Sequence, residues 1–388
     1  MIKNLLLIEE KMSLVLSNAR VVTPEADVLG GAVIERGRIV EVLPGRSVHG
    51  EDLEQDFLIP GIVDLHTDNL EKHFFPRPKI DWNPVSAAVV HDGLCISVGV
   101  TTVFDSLSVG SFGFSESRKQ DNLGRLAGGL LAASDGGLLK ATHRLHWRCE
   151  TTSEQLTSML PPLFDNDLTG LMSLMDHTPG QRQYRNLDRF LTMWREEGES
   201  EAEIDRRLAT MRSRQIEYGP ANKALVSDLS LAAGIPLASH DDETTAHIDE
   251  AVQLGATIAE FPVTDAAAAQ ARARGMTIVM GGPNLVRGGS YSGNISVSDV
   301  AHAGYLDAIA SDYVPRSLIE CAFRLAQAPF DWPLPRAIAT VTRAPAQAAG
   351  FGDRGAIAPG MRADLVRVRI VDGLPVVRGV WVAGERVG

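Results

Sequence analysis

The chain has 388 residues, 44% of them hydrophobic and 22% charged, with a formal net charge of −12. That length suits one large α/β barrel with a small accessory domain, or two to three ordinary domains. The acidic balance argues against general nucleic-acid binding, and no apolar run is long enough to span a membrane. An anionic ligand therefore needs a local basic pocket, because the overall field repels it. Cys95, Cys149 and Cys321 are far apart and form no paired motif. They read as reduced thiols of a cytoplasmic chain.

Residues 1–11 carry no motif, and their apolar core is too short for a signal peptide before Glu9 and Glu10 intervene. Translation starting at Met1 or at Met12 fits equally. From Leu14 to Phe57 the pattern is short strands, with a hairpin turn at Glu35-Arg36-Gly37-Arg38. Similar strands return near the end, in 363–368 and 376–387. Two unrelated β tails would leave exposed edges. The expectation is one small β-sandwich built from 12–58 and 353–388, around a (β/α)8 barrel of 59–352.

The barrel opens on Leu58-Ile59-Pro60-Gly61-Ile62-Val63-Asp64-Leu65-His66-Thr67-Asp68. An apolar run that ends in ionisable side chains is how a buried barrel strand reads when its C-terminal end reaches an active site. Strand residues alternate faces, so His66 and Asp68 point the same way. Seven further strands are expected in 98–105, 144–150, 171–177, 236–242, 258–261, 277–281 and 308–312, and the recurring pattern is an apolar run first and a polar or ionisable cluster last. Between the fourth and fifth, 194–218 is a highly charged helical segment that reads as a solvated face. The strand ends supply His66, Asp68, Glu150, His177, His240 and Asp312. Imidazole and carboxylate suit a borderline divalent ion such as zinc or manganese. Six donors exceed the needs of one tetrahedral ion, and a central carboxylate can bridge two ions about 3.5–4 Å apart. His146 shares a face with Glu150, as a residue supporting the ligands would, whereas His143 faces the other way into packing. His91 and Asp92 read as support for the ligands and not as ligands themselves.

The segments 60–82, 143–150, 173–183, 238–247, 259–262, 280–294 and 311–315 closely resemble the amidohydrolase superfamily. Within it they resemble the branch of phosphonate-pathway triphosphate diphosphatases. Most of the superfamily carries His-x-His on the first strand and often a carboxylated lysine later. Here Asp68 stands for the second histidine and Glu150 for the lysine, which agrees with that branch. The resemblance implies two divalent ions per chain, zinc first, with manganese or iron as alternatives. His66 and Asp68 would hold one ion and His177 and His240 the other, with Glu150 bridging. Asp312 would bind a metal or take the proton of the attacking water as the catalytic base.

Several basic and polar residues near the same rim fit a polyphosphate. Arg77 and Lys79 sit between prolines just past the first strand, and Arg148 shares the face of Glu150. Gln181 and Arg182 follow His177 in a loop. Asn284, Arg287 and Ser290 lie in a glycine-rich loop that can cradle phosphate through N–H groups and a guanidinium fork. No Gly-Lys-Ser/Thr follows, so this is no Walker motif. The implied reaction is hydrolysis of a ribosyl alkylphosphonate 5-triphosphate to the 5-phosphate and diphosphate. Two rivals stay open: an amidohydrolase or deaminase acting on a C–N bond, and a catalytically silent barrel scaffold. The expected partner is the small phosphonate sugar triphosphate, with neither nucleic acid nor membrane. A homodimer and contacts with other phosphonate-pathway enzymes are left open.

Overall fold

The computed structural model describes residues 13–77, 80–110, 117–290 and 293–388. The expected N-terminal extension, residues 1–11, and Lys79 lie outside the described residues. Near the N-terminus come β1 (Leu14–Val22), β2 (Asp27–Glu35), β3 (Arg38–Pro44), β4 (Glu51–Asp52) and β5 (Phe57–Pro60). Arg36 and Gly37 both have positive φ, 51° and 74°, as a tight two-residue hairpin between β2 and β3 requires.

Eight parallel strands follow: β6 (Ile62–Thr67), β7 (Val100–Val109), β8 (Thr142–Glu150), β9 (Thr169–Met175), β10 (Leu237–His240), β11 (Ile258–Glu260), β12 (Thr277–Gly281) and β13 (Ala308–Ala310). The chain ends in β14 (Leu365–Val371), β15 (Leu374–Val382) and β16 (Glu385–Arg386). Both termini share one sheet, ordered β16-β15-β14-β5-β1-β2-β3, with β4 beside β1. The joint is the antiparallel pairing of β14 with β5, Leu365 opposite Pro60 and Val368 opposite Phe57. Leu16, Val21, Ile39, Leu58 and Trp381 bury themselves between the sheet's folds. Pairing the terminal strands removes the edges that two separate tails would expose.

The barrel strands pair in sequence order from β6 to β13. Their alternation splits them cleanly. Val63, Leu65, Phe104, Leu171 and Ile258 fill the interior. Val103, Leu107, Leu145 and Trp147 face outward into the layer shared with the helices. The ring closes where β13 meets β6. The Asp312 N–H donates to the His66 carbonyl at 2.9 Å, and the Asp68 N–H donates to the Asp312 carbonyl at 2.8 Å. Backbone pairing alone thus gathers three of the expected metal donors at one seam.

Between β9 and β10 the chain builds a helical arm from Leu187–Glu196 and the 33-residue helix Glu201–Ala233. Ser200 and Glu203 form a reciprocal cap at the long helix's start, and Gly234 ends it at φ 63°. The charged segment expected to be a solvated face has an inner side as well. Ile204, Leu208 and Met211 pack with Phe190 and Trp194 into a small core of their own.

Candidate active site

The centre of the site is a carboxylate that the sequence reading did not select. Glu260, at the end of β11, is fully buried and lies 2.8 Å from His66 Nδ1 and 2.6 Å from His240 Nδ1. A carboxylate that accepts the Nδ1–H of an imidazole fixes the ring and leaves Nε2 for a metal. One glutamate does this for two histidines on strands β6 and β10. Its signal was visible, since Ile258-Ala259-Glu260 repeats the pattern of an apolar run ending in an ionisable residue. Beneath it, Asp64 accepts the backbone N–H groups of His66 at 3.2 Å and Ser311 at 3.0 Å. Burial pushes the Asp64 carboxyl up to about 6 against those bonds.

At the closing seam, donor atoms of His66, Asp68 and Asp312 all lie within 4.8 Å of one another. Asp68 also holds Arg148, whose Nη1 sits 2.8 and 2.7 Å from its two carboxylate oxygens. Burial raises the Asp68 carboxyl, but Arg148 and His66 outweigh it and keep the group well below the usual range. Asp312 goes the other way: burial raises it, and the neighbouring Asp68 adds to the effect against His66 and Arg148. A carboxylate with a raised pKa at a rim of this kind suits a proton acceptor. Asp241, Phe261 and Asp312, at the ends of β10, β11 and β13, have φ of 55°, 56° and 55°. Left-handed backbone at non-glycine residues is uncommon and gathers at functional sites.

Across the site, His177 Nδ1 is 2.5 Å from Glu150 Oε2, and the His177 and His240 rings stand 6.4 Å apart between centroids. Burial lowers the His177 imidazole, yet the adjacent Glu150 raises it overall. Glu150 Oε1 accepts from the Thr152 hydroxyl at 2.6 Å. Glu150 therefore touches one of the expected histidines, and the position between His66 and His240 belongs to Glu260. His146, on the inner face of β8 as its parity predicts, bonds the Leu65 carbonyl at 3.0 Å and the Ser173 hydroxyl at 2.9 Å. Burial drives its pKa down to about 3, so the ring is neutral.

Two cavities open at this rim, of about 460 and 570 Å³. Asp241 and Asp312 line the smaller with Asn284, Arg287, Ser290 and Asn294. Asp68, Glu150 and His177 line the larger with Lys72, Arg148 and Tyr184. Gln183 and Tyr313 line both. Of the residues expected to bind phosphate, Arg148, Asn284, Arg287 and Ser290 therefore reach a cavity. Arg182 and Gln181 line neither of these two. The Arg182 guanidinium is buried, donating to Asp242 at 2.5 Å and to the His240 carbonyl at 2.9 Å, so it braces the loop after β10. Gln181 is its neighbour in the same packed turn and lines neither cavity. Arg77 lies exposed beside a short bridge to Ile80 and lines neither as well. Gln183 stands in the loop after His177 that was expected to meet phosphate; Lys72 and Tyr313 were not singled out, because no local motif marks them and distant segments bring them together.

On the outer side of the barrel wall, His91 Nε2 and His143 Nδ1 each lie 2.7 Å from Asp105, and His143 Nε2 lies 3.3 Å from Asp92. These residues face the helix layer, as the parity of His143 predicted, away from the rim.

The geometry meets its relatives in three comparisons. The Amidohydrolase family model matches residues 197–387. Alpha-D-ribose 1-methylphosphonate 5-triphosphate diphosphatase from Escherichia coli (strain K12) is 38% identical over 378 residues, covering 96% of this chain and 100% of that protein. Among solved structures, N-acetyl-D-glucosamine-6-phosphate deacetylase from Mycobacterium smegmatis aligns with a TM-score of 0.62 at 16% identity, covering 96% of this chain and 99% of that one. A 5-methylcytosine deaminase from Klebsiella pneumoniae aligns at 0.63 with 14% identity, covering 96% and 98%. At those identities the two structures share the fold. The full-length likeness to the diphosphatase carries more, and the chain belongs to its family within the amidohydrolases.

Proposed function

We propose that the chain hydrolyses α-D-ribose 1-methylphosphonate 5-triphosphate to α-D-ribose 1-methylphosphonate 5-phosphate and diphosphate, with two divalent metal ions. What carries the choice of reaction is the 38% identity to the diphosphatase, spread over 96% of this chain. The donor chemistry fits the metals: three seam donors, His66, Asp68 and Asp312, lie within 4.8 Å of one another, and Glu260 orients the His66 ring together with that of His240. His66, Asp68 and Asp312 would hold one ion, and Glu150, His177 and His240 the other, with zinc the best match to imidazole and carboxylate. Bound there, such ions supply Lewis acidity toward a phosphoryl oxygen and acidify water.

The chain's own residues do the rest. Asp312, which lines the smaller cavity at the barrel's closing seam, accepts the proton of the attacking water. Arg287, with Asn284 and Ser290, holds the departing diphosphate in the smaller cavity. The α-phosphorus then sits at the seam between the cavities, where the carboxylates converge.

Reaction in water labelled with heavy oxygen tests the bond that breaks. The label is expected in the ribose 5-phosphate, and its appearance in diphosphate or orthophosphate refutes the assignment. Release of ammonia from amide or amine substrates, without diphosphate from the triphosphate, favours C–N chemistry instead. Elemental analysis of loaded protein should give near two equivalents. Glu260→Gln, whose amide cannot accept from both rings, should lower metal affinity or turnover about tenfold to a hundredfold. Unaltered metal content and turnover in that variant remove Glu260 from the site.

A further inference from the structure

Arg182 is a buried cation that the chemistry above does not use. It stands at φ 52°, left-handed backbone that a non-glycine residue keeps only where its surroundings hold it. Three hydrogen bonds do so, and all run to the segment at the end of β10. The Arg182 N–H donates to Glu243 Oε2 at 2.9 Å, and Nη1 donates to the His240 carbonyl at 2.9 Å and to Asp242 Oδ1 at 2.5 Å. Asp242 is buried as well, and its carbonyl accepts the Val263 N–H at 2.9 Å, which ties the same segment to the residues after β11.

The two segments joined in this way carry two of the proposed metal donors, His177 and His240. The pairing of β9 with β10 reaches only as far as Leu174 opposite Ser239, one residue short of His240 and three short of His177. The ladder therefore does not set one histidine against the other. Past its end, Arg182 makes the connection. Its own turn is closed, with the Gly180 N–H on the Tyr184 carbonyl and the Tyr184 N–H on the Gln181 carbonyl, both at 3.0 Å. A hold on Arg182 thus reaches back to His177 and forward to Gln183, which lines both cavities.

We propose that Arg182 is a positioning residue: it sets His177 against His240, and through them the affinity of the ion that these two and Glu150 would hold. The inference rests on the two-ion reading given above. It gives the guanidinium a role apart from phosphate, in keeping with its burial against Asp242 and its absence from either cavity wall. Removing only one member of such a buried pair strands the other charge, whereas replacing both by apolar side chains is often neutral for stability. The test therefore changes both together.

Zinc titration of the full chain against a chelating competitor needs no substrate. The unaltered protein should take up two equivalents. The double variant Arg182→Leu with Asp242→Leu should melt near the temperature of the unaltered protein, yet bind one equivalent about tenfold to a hundredfold more weakly while the other keeps its affinity. Arg182→Lys, which keeps the charge beside Asp242 but loses the planar fork, should show an intermediate loss at the same equivalent. With zinc in excess and the triphosphate as substrate, kcat should fall in both proteins and KM should hold. Unchanged affinity for both equivalents in the double variant overturns the proposal, and so does a raised KM with zinc binding intact, which would return Arg182 to the phosphate site. Should the double variant fail to fold, the selective loss in Arg182→Lys carries the proposal and its absence overturns it. Fewer than two equivalents in the unaltered protein overturn the two-ion reading and the positioning role with it. If the unaltered protein releases no diphosphate, the triphosphate reaction falls, and selective loss of one zinc equivalent still upholds the role of Arg182.

Discussion

His143 shows how much one side chain can contribute away from the rim. It lies fully buried between Asp105 at 2.7 Å and Asp92 at 3.3 Å, and Asp92 also accepts the backbone N–H groups of Lys140 and Ala141 at 3.0 and 2.8 Å. Burial lowers the ring's pKa, but Asp105 raises it further, to about 9. A histidine raised above its unfolded value of about 6.5 contributes stability that is complete below that pH. The contribution is lost as pH climbs through about 9. Urea unfolding from pH 6.5 to 9.5 should therefore show a loss of about 3 kcal/mol that His143→Gln does not show. Equal slopes in both proteins mean that the ion pair is not what ties this part of the wall. Glu260 illustrates the opposite case: a buried carboxylate on the inner face, it holds the His66 and His240 rings that are proposed to bind metal.

Among the elements, the helical arm has a small core of its own, as the terminal sheet does. Trp194 is almost fully buried there, 4.6 Å from the Phe190 ring and beneath the Arg207 guanidinium at 4.1 Å. The arm also reaches the site. Tyr184 packs 4.6 Å from Phe190 and 5.9 Å from His177, and Gln215 Nε2 donates to Asp176 at 2.6 Å, one residue before His177. Asn222, further along the long helix, donates to the Thr151 and Ser153 carbonyls at 2.8 Å each. Trp194→Ala should cost about 3–5 kcal/mol of the arm's stability. Hydrogen exchange should speed up across 187–211 before it does in the barrel strands, and kcat/KM should fall as Tyr184 loses its backing. Uniform exchange across the chain, or unchanged turnover, separates the arm from the site. The charges of this segment were plain in the sequence. Its inner stripe was masked by them, because Ile204, Leu208 and Met211 are three or four residues apart among many charged neighbours.

At the scale of the whole molecule, the terminal sheet joins residues more than 300 positions apart. Asp56 is its anchor, accepting from Arg367 Nε at 2.5 Å and from Arg369 Nε at 2.7 Å. Burial raises the Asp56 carboxyl, yet the two arginines outweigh it and hold the group below its ordinary value. Asp56→Ala leaves Arg367, itself nearly buried, without this partner across the β5–β14 joint. The expected cost is about 1–3 kcal/mol in urea unfolding. A loss confined to the sheet leaves metal content and the rim chemistry unaltered. A simultaneous loss of metal would show that the sheet and the barrel unfold as one unit.

Much of the architecture was written in local pattern. Eight apolar runs, seven of them reaching an ionisable residue at their end, specify eight barrel strands, and short alternating strands at both ends specify a shared sheet. Parity alone separated inward His146 from outward His143, because the strand period of two leaves no freedom once one face is buried. What no local pattern could decide is which side chains meet across the rim. Glu260 between His66 and His240, Arg182 turned onto Asp242, and Lys72 and Arg287 on either side of Tyr313 all depend on the ends of different strands, and the short segments after them, converging in space. The physical reason is that strand-end direction is a property of one strand, whereas an ion pair or a shared carboxylate is a property of the closed barrel. The closure at Asp312, made by two backbone hydrogen bonds to β6 and the residue after it, is where that property arises.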